Sequence, residues 1–273
     1  MPAPRPTAIS AAPRTRTAAS HGSARTSWRT CGPPCASLER NASVDSVEHP
    51  HRRLHGRRKG RPLSPTRTAL VADLGASLLL DLARPAPDDP RTLFPLPLRD
   101  VRLEVGCGGG EHLIHEALAA PDVGFIGIEP FEEAFGKIVA GVEAAGLRNV
   151  RLFADDAALV LDWLPAGSLG RVDVLYPDPW PKRRHWKRRF VSDENLARMA
   201  RALRPGGTFR CASDIPAYVD WALLRTTPRA DFRWTAERAD DWRKPWAGWP
   251  GTRYEGKALR AGRVPAYLVF ERV

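Results

Sequence analysis

From residue 101 onward, short apolar runs alternate with longer segments of helical periodicity. The runs predict strands at 101–105, 124–128, 150–153, 172–176 and 208–213. The segments between them predict helices at 111–120, 131–145 and 193–203 and a helical turn at 156–164. Because parallel strands need crossover connections, this order predicts an α/β fold. We expect a Rossmann-like, doubly wound, mostly parallel sheet with helices on both faces, which binds ligands at the carboxyl ends of its strands.

An amphipathic helix is predicted upstream of this region, over residues 66–82. Leucines recur there at helical spacing, at Leu70, Leu74, Leu78 and Leu82. A proline-rich connection over residues 85–97 then leads to the first strand of the alternating region.

The positive charge of the chain is concentrated at its amino end. The formal net charge is +11, and residues 1–67 contain 13 Lys and Arg against three acidic residues, so the remainder is close to neutral. Residues 1–55 are rich in Ala, Pro, Arg, Ser and Thr, a composition that buries too little apolar area to offset chain entropy. We therefore predict a disordered basic tail over 1–55 and one folded domain over 56–273.

Three interpretations of the tail stay open. It is a basic arm for RNA, an organelle transit peptide rich in Arg and Ser, or upstream sequence that only a gene model translates. The third interpretation places a non-methionine start at Val44 or Val47. Mass spectrometry of the native amino terminus distinguishes it from the other two.

The cysteines and the hydropathy of the chain indicate its cellular environment. Four scattered cysteines do not form a disulfide framework, so we expect a reducing, cytoplasmic environment. Cys31 and Cys35 lie near three histidines, but their irregular spacing argues against a zinc site, and no metal is predicted. The longest apolar stretch, 70–83, contains two aspartates and is shorter than the roughly 20 residues that cross a bilayer. No membrane span is predicted.

The first strand of the alternating region runs into a turn that contains Gly106, Gly108 and Gly110. Glycine permits positive φ and lets a ligand approach the backbone closely. Glu111 stands where a dinucleotide fingerprint needs its third glycine, so a dinucleotide site is disfavoured. A tight turn without a ligand remains the alternative for the glycines taken alone.

Acidic residues accompany the ends of three successive predicted strands. Glu104, just before the turn, suits a cationic ligand such as the ammonium of a methionine moiety. Glu129 ends the second strand, where a carboxylate can accept both ribose hydroxyls. Asp155 and Asp156 follow the third strand and are placed to accept from an adenine amino group. Each acid alone could equally be a solvated loop residue, but three successive strand ends favour one shared ligand.

The fourth strand of the alternating region leads into Tyr-Pro-Asp-Pro-Trp-Pro-Lys-Arg-Arg-His-Trp-Lys-Arg-Arg, residues 176–189. Two prolines stiffen the backbone around Asp178 and hold its carboxylate at the edge of the sheet. Trp180 offers a stacking face for a splayed-out base. Residues 182–189, the basic segment, contain the six cations Lys182, Arg183, Arg184, Lys187, Arg188 and Arg189. A charge run is usually a solvated face, but this position favours contacts with RNA phosphates.

Residues 177–189 resemble the tRNA (guanine-N7)-methyltransferase family, in which Pro-Asp-Pro-Trp-x-Lys is followed by His and basic residues. Supporting matches lie at 103–113, 127–129, Asp214 and 252–255, and the resemblance covers roughly residue 57 to the carboxyl terminus. It implies a class I methyltransferase domain that uses S-adenosylmethionine. The implied target is N7 of a guanosine in tRNA, usually position 46 in the variable loop.

The resemblance also implies roles for individual residues. Asp178 is the predicted catalytic residue and contacts the cofactor. The other cofactor contacts, including the turn glycines, are Glu104, Gly106, Gly108, Gly110, Glu129 and Asp156. The substrate contacts are Lys182, Asp214, Thr252, Arg253, Tyr254 and Glu255. Pro181, Arg253 and residues 256–258 depart from the family pattern.

Other functions stay open beside this one. The same fold could methylate a protein or a small molecule, with the basic segment as a solvated face, or could serve as a catalytically silent RNA-binding scaffold. An NAD-dependent dehydrogenase is disfavoured by Glu111. We expect a monomer or a homodimer. Four carboxyl-terminal tryptophans, Trp234, Trp242, Trp246 and Trp249, are expected to pack in a core or interface instead of stacking on bases.

Overall fold

The computed structural model describes residues 54–56, 58–60 and 62–273. Most of the predicted tail over 1–55 lies outside these residues, as do Cys31 and Cys35. The α-helices are α1 (Pro65–Leu78), α2 (Glu111–Ala119), α3 (Glu132–Ala144), α4 (Ala157–Trp163), α5 (Asp193–Ala202), α6 (Pro216–Thr226), α7 (Asp240–Arg243) and α8 (Arg253–Arg260). The strands are β1 (Asp100–Val105), β2 (Val123–Ile128), β3 (Val150–Phe153), β4 (Leu169–Leu175), β5 (Leu203–Ser213), β6 (Phe232–Trp234) and β7 (Ala266–Arg272). Short 3-10 helices span Pro90–Leu93 and Arg183–Arg188.

The strands form one sheet in the order β3-β2-β1-β4-β5-β7-β6. The pairs β1–β2, β1–β4, β2–β3 and β4–β5 are parallel, whereas β7 is antiparallel to β5 and to β6. The strand order reverses between β1 and β4, and such sheets bind ligands in the crevice at this switch point. The predicted doubly wound, mostly parallel sheet is confirmed.

Helices cover both faces of the sheet, as predicted. Side chains alternate along β2, so Ile126 joins a buried cluster with Leu161 of α4 and Leu196 of α5. Phe125 points to the opposite face and joins a second cluster with Ile138 of α3. Full burial of such a side chain stabilises the fold by about 1.5–3 kcal/mol. These two apolar layers fix the strand ends that carry the site.

The sheet face beneath α2 also carries buried charge. Glu104 of β1, Asp173 of β4 and Arg210 of β5 lie next to one another in register, and all three are buried. Arg210 donates to Asp173 from Nε at 2.6 Å, and Arg171 donates to it at 2.9 Å. Burial alone would raise the pKa of Asp173, but these two arginines hold it well below its usual range. Glu104 therefore belongs to a buried polar network.

The first helix is shorter than the leucine spacing predicts. It ends at Leu78 instead of Leu82. Leu79 forms an isolated parallel bridge with Leu152 of β3, and the N–H of Leu80 donates to the carbonyl of Leu152 at 2.9 Å. Pairing with the sheet edge thus ends the helix.

The carboxyl-terminal part of the sheet differs most from the prediction. β5 begins at Leu203, which pairs with Leu169, and the next paired residues are Thr208 and Arg171. Residues 204–207 therefore bulge between two paired stretches. The apolar pattern predicts neither β6 nor β7, although both complete the sheet.

The carboxyl ends of the parallel strands gather the predicted acids at one edge. Glu104 lies at the end of β1, Glu129 follows β2, and Asp156 follows β3. Asp178 follows β4, and Asp214 follows β5. The topology therefore brings together residues that are separated by more than a hundred positions in sequence.

Candidate active site

The glycine turn between β1 and α2 has a backbone that glycine adopts most readily. The φ angle is 67° at Gly106, 58° at Gly108 and 83° at Gly110, all in the left-handed region. A Cβ at Gly106 would meet nothing within 4 Å, so this part of the turn borders open space. The predicted strand, turn and helix are confirmed, and the ligand contact of the three glycines stays a prediction.

Glu129 fastens the turn to the end of β2. Its buried carboxylate accepts from the N–H of Gly108 at 2.7 Å and from the N–H of Phe131 at 2.9 Å. Burial raises the pKa of Glu129, the two N–H donors oppose the rise, and the charges of Asp178 and Glu104 add to it. Glu129 therefore lies within electrostatic reach of both other acids.

Glu104 is buried at the end of β1 and contacts α2. Its Oε2 lies 2.7 Å from Nδ1 of His112, a histidine that is 2% exposed. Burial lowers the pKa of His112, but the carboxylates of Glu104, Asp173 and Glu116 outweigh it and raise the pKa. A titratable imidazole and a carboxylate therefore share this buried position.

The acids that follow β3 have partners in the protein. Asp156 is the N-cap of α4, and its Oδ1 accepts from the N–H of Ala158 at 3.0 Å. Asp155 forms an ion pair with Arg58 at 2.8 Å, which ties residues 58–60 to this edge of the sheet. The predicted contact between Asp156 and the cofactor stays a prediction.

Asp178 lies on a strained segment at the end of β4. Tyr176 and Trp180, two residues to either side, have φ angles of 49° and 42°. This left-handed conformation costs a non-glycine residue about 1–2 kcal/mol and persists only where the surrounding structure enforces it. Asp178 is exposed at the rim, yet the surrounding protein partly desolvates its carboxyl and raises its pKa. The backbone thus presents this carboxylate in a fixed place.

The basic segment forms the 3-10 helix Arg183–Arg188 directly after Trp180. Four of its cations are exposed: Lys182, Arg183, Arg184 and Lys187. The guanidinium of Arg188 lies 4.9 Å from the centre of the Trp180 ring, and His185 meets the same ring edge-on at 5.8 Å. An indole and several solvated cations therefore lie within a few residues of Asp178.

Arg189 does not share this exposure, and the prediction that it contacts phosphates is wrong. It is 3% exposed, and it donates to the carbonyl of Pro179 at 2.9 Å and to that of Ala217 at 3.0 Å. Its guanidinium also lies 5.0 Å from the ring centres of Trp186 and Trp221. Arg189 therefore braces the Asp178 segment against α6.

Thr252 and Glu255 form a capping box at the start of α8. Oγ1 of Thr252 accepts from the N–H of Glu255 at 3.0 Å, and Oε2 of Glu255 accepts from the N–H of Thr252 at 3.2 Å. Buried Glu255 also accepts from Nε1 of Trp249 at 2.8 Å and from the hydroxyl of Tyr267. Both residues hold the helix terminus, and their predicted contacts with the substrate stay predictions.

Tyr254 brings the start of α8 to the glycine turn. Its Cε2 lies 3.5 Å from the position that a Cβ on Gly108 would take, and the side chain is 44% exposed. Arg253 and Lys257 lie 5.1 Å and 5.6 Å from the centre of the Tyr254 ring. The predicted cofactor turn and the predicted substrate segment therefore adjoin.

The remaining predicted residues lie on the β5 and carboxyl-terminal side. Asp214 pairs with Arg263 at 2.5 Å, and its predicted contact with the substrate stays a prediction. The four carboxyl-terminal tryptophans pack against the buried clusters, as predicted.

The residues that the structure describes contain neither a metal-ligand cluster nor a helix that could span a membrane. In that part of the chain, no group of three or more His, Cys, Asp or Glu is arranged to hold a metal ion. None of the helices described there is both long and apolar enough to cross a membrane.

Comparison with known proteins identifies the family. A family described as a putative methyltransferase matches residues 99–267. The tRNA (guanine-N(7)-)-methyltransferase of Rhizobium meliloti (strain 1021) is 57% identical over 217 residues, which cover 80% of this chain and 94% of the relative. The protein of the same name from Chelativorans sp. (strain BNC1) is 55% identical over 228 residues, 82% and 98% of the two chains. The chain belongs to the tRNA (guanine-N7)-methyltransferase family.

Membership in the tRNA (guanine-N7)-methyltransferase family implies S-adenosylmethionine as the methyl donor, and the turn fits this molecule. Glu104 and Glu129 are buried acids beside the turn, and within the described ranges neither pairs with Lys or Arg. Buried carboxylates without a Lys or Arg partner suit the ammonium and hydroxyl groups of such a ligand. The open space at Gly106 leaves room for it.

Sequence patterns missed three features of this family member. His112 follows Glu104 by eight residues, and no regular period brings such a pair together across a turn. The positive φ angles of Tyr176 and Trp180 have a partial signal in the prolines around Asp178. The burial of Arg189 has no signal, because the residue closes a run of exposed cations.

Proposed function

We propose that this chain transfers the methyl group of S-adenosylmethionine to N7 of a guanosine in tRNA, at position 46 of the variable loop. The observation that carries the proposal is the strained segment that presents Asp178 at the sheet edge, directly before the exposed cations and within electrostatic reach of Glu129, which binds the glycine turn. The relatives from Rhizobium meliloti and Chelativorans are named as methyltransferases of guanine N7 in tRNA, which supports the same acceptor atom here.

Guanine N7 has a free lone pair and no proton, so methyl transfer to it requires no general base. The donor supplies an activated methyl group on its sulfonium. The protein's task is then to hold the nucleophile in line with the methyl group and sulfur, an effect worth up to about 7–11 kcal/mol. Fixed strand ends and a braced Asp178 segment suit this task.

Asp178 acts on the base in this proposal. Its carboxylate accepts from N1–H and the amino group of guanine and stabilises the positive charge that moves onto the ring during transfer. The residue must be ionised for this role. Because its pKa is raised, the rate falls as the pH drops through that value. Asp214 is the second candidate for the same edge of the base.

The donor contacts follow the predicted assignment. Glu104 accepts from the ammonium, Glu129 from the ribose hydroxyls, and Asp156 from the adenine amino group. Asp178 lines the same space. The turn glycines let the backbone approach the donor closely.

The RNA is held by charge and positioned by contacts at α8. The exposed cations of the basic segment neutralise phosphates, so binding weakens as salt rises. Tyr254 and Arg253 at the glycine turn contact the substrate beside the donor. A cytoplasmic location and a monomeric or homodimeric state complete the proposal as predictions.

Incubation with methyl-labelled S-adenosylmethionine and unmodified tRNA tests this function. Nucleoside analysis of the digested tRNA should find the label in 7-methylguanosine. Label in another nucleoside would assign a different target atom, and label in protein or small molecules alone would contradict a tRNA substrate.

A further inference from the structure

His112 is a buried titratable group beside the donor site that methyl transfer itself does not use. It is 2% exposed, and its Nδ1 lies 2.7 Å from Oε2 of Glu104. Within residues 54–56, 58–60 and 62–273, His112 is the one ion-pair partner of Glu104. The histidine therefore balances the charge of this acid when the donor is absent.

The neighbouring acids, partly buried Glu116 on α2 and buried Asp173 on β4, have arginine partners. These pairs are Glu116 with Arg171 and Arg102, and Asp173 with Arg171 and Arg210. Glu104 thus differs from them, because its partner is a histidine whose charge can change. A cation that binds at Glu104 can therefore displace a proton from His112 but not from an arginine, since arginine keeps its proton in proteins.

The second ring nitrogen of His112, Nε2, lacks the hydrogen bond that Nδ1 has to Glu104. Nε2 is buried and has no hydrogen-bond partner among the described residues, and Oε1 of Glu116 lies 4.0 Å away. Loss of the Nε2 proton therefore breaks no hydrogen bond, while Nδ1–H keeps its bond to Glu104. The Trp249 ring lies against the imidazole at a centroid distance of 5.1 Å. The imidazole can change its charge without changing its position.

We propose that His112 is a positioning residue for the methyl donor, which holds the carboxylate of Glu104 for the donor ammonium and releases its Nε2 proton to solvent when the ammonium binds. The proton balance is simple: the protonated protein and the donor give the complex and one proton. The inference rests on the proposed function only in taking S-adenosylmethionine as the ligand. Two cations beside one buried carboxylate repel each other, and the neutral imidazole removes that repulsion.

The affinity for the donor then depends on pH. In the free protein burial lowers the pKa of His112, and the carboxylates of Glu104, Asp173 and Glu116 raise it above the ordinary histidine value of about 6.5. The bound ammonium lowers it again. Between the two pKa values binding releases a proton, so the Kd falls as pH rises, by up to about tenfold per pH unit. Above the pKa of the free protein the Kd no longer changes through this group.

Calorimetry on the full chain without tRNA measures the Kd for the donor and the number of protons that binding releases. S-adenosylmethionine is titrated at several pH values in pairs of buffers that differ in ionisation heat, which gives the number of protons released. We expect release of up to one proton per bound donor, with a maximum between the pKa values of His112 in the free protein and in the complex, and a Kd that decreases as the pH rises.

Two substitutions separate positioning from a structural role. His112→Asn keeps a donor near the place of Nδ1 but cannot ionise, so the donor should bind without proton release and without this pH dependence. His112→Ala loses a hydrogen bond to a charged group, which should raise the Kd and the KM for the donor by about tenfold or more while kcat changes little. His115→Ala, on the exposed side of α2, is the matched control and should behave as the wild type.

Equal proton release by the wild type and His112→Asn would overturn the proposal. An unchanged Kd in a folded His112→Ala variant would also overturn it, and if this variant does not fold, the His112→Asn comparison decides. Normal donor binding with proton release but no tRNA methylation would contradict the proposed function and leave the role of His112 supported. Absence of donor binding by the wild type would contradict both.

Discussion

Burial and hydrogen bonding, more than charge, decide what a residue at this edge of the sheet does. Asp178 and Arg189 belong to one motif and both carry charge. Asp178 is exposed at the rim, whereas Arg189 is buried and donates to Pro179 and Ala217. In the proposed function the first contacts the substrate, and the second holds the segment that carries the first.

Replacement of Asp178 by Asn keeps the shape of the side chain and removes its charge. We expect kcat to fall by about two to three orders of magnitude, because the developing charge on guanine loses its carboxylate. Donor binding should survive at least in part. Single-turnover methylation and donor calorimetry measure the two effects.

The pH profile supplies the internal control for Asp178. Because the pKa of Asp178 is raised, the rate of the wild type should fall on the acid side of the profile, where the protonated residue no longer accepts from the base. This fall should be missing from the residual activity of Asp178→Asn. Near-normal turnover in the variant would refute the assigned role.

Replacement of Arg189 by Met tests whether this cation braces the fold. The variant loses two hydrogen bonds that the buried guanidinium donates to the carbonyls of Pro179 and Ala217, so the free energy of unfolding should fall by about 1–3 kcal/mol in denaturant titrations. The matched control is Lys187→Met in the same segment, where the side chain is exposed. The control should change stability by less than about 0.5 kcal/mol and should weaken tRNA binding. An Arg189 variant with full stability and the same tRNA defect as Lys187→Met would support a phosphate contact of Arg189 and contradict its bracing role.

At the scale of elements, the basic segment should govern the salt dependence of tRNA binding. Substitution of the exposed cations Lys182, Arg183, Arg184 and Lys187 by Ala should lower affinity and reduce the slope of log affinity against log salt by up to roughly one per residue. Fluorescence anisotropy over a salt series measures the slope. Arg99, before β1 at the opposite edge of the sheet, is the control. A slope unaffected by the four substitutions would show that the basic segment is a solvated face without phosphate contacts.

The apolar alternation predicts β1–β5 and the helices between them, because strands covered on both faces appear as near-continuous apolar runs. β6 is three residues long and too short to show a period. β7 joins the sheet in antiparallel orientation, outside the alternating pattern. The end of α1 depends on pairing between Leu79 and Leu152, a contact between distant residues that periodicity does not encode.

Some residues of the candidate site could likewise be predicted from the sequence, and some of their contacts could not. Glu129 and Asp178 could be predicted, because each acid follows a strand whose carboxyl end the topology places at one edge. The contact of His112 with Glu104 and the burial of Glu255 depend on packing across turns and between elements. Residue types and spacing therefore predict which side chains reach the edge, whereas the fold decides which of them support the others.

At the scale of the whole molecule, the donor site and the α8 segment rest on one buried scaffold. The polar network on the sheet face connects Asp173 and Arg210 to the region of Glu104 and His112. Trp249 lies against His112 and donates to Glu255, which caps α8 and so holds Tyr254 over the glycine turn. The segments proposed to bind the donor and the substrate are therefore held by the same core.

Transfer of the methyl group to guanine N7 is tested most directly with two tRNA transcripts, one made with guanosine and one with 7-deazaguanosine. The second carries C–H in place of N7 and keeps the phosphates, N1–H and amino group. With labelled S-adenosylmethionine, the label should enter the guanosine transcript alone, while both transcripts bind with similar affinity. Equal labelling of the 7-deazaguanosine transcript would contradict N7 as the acceptor.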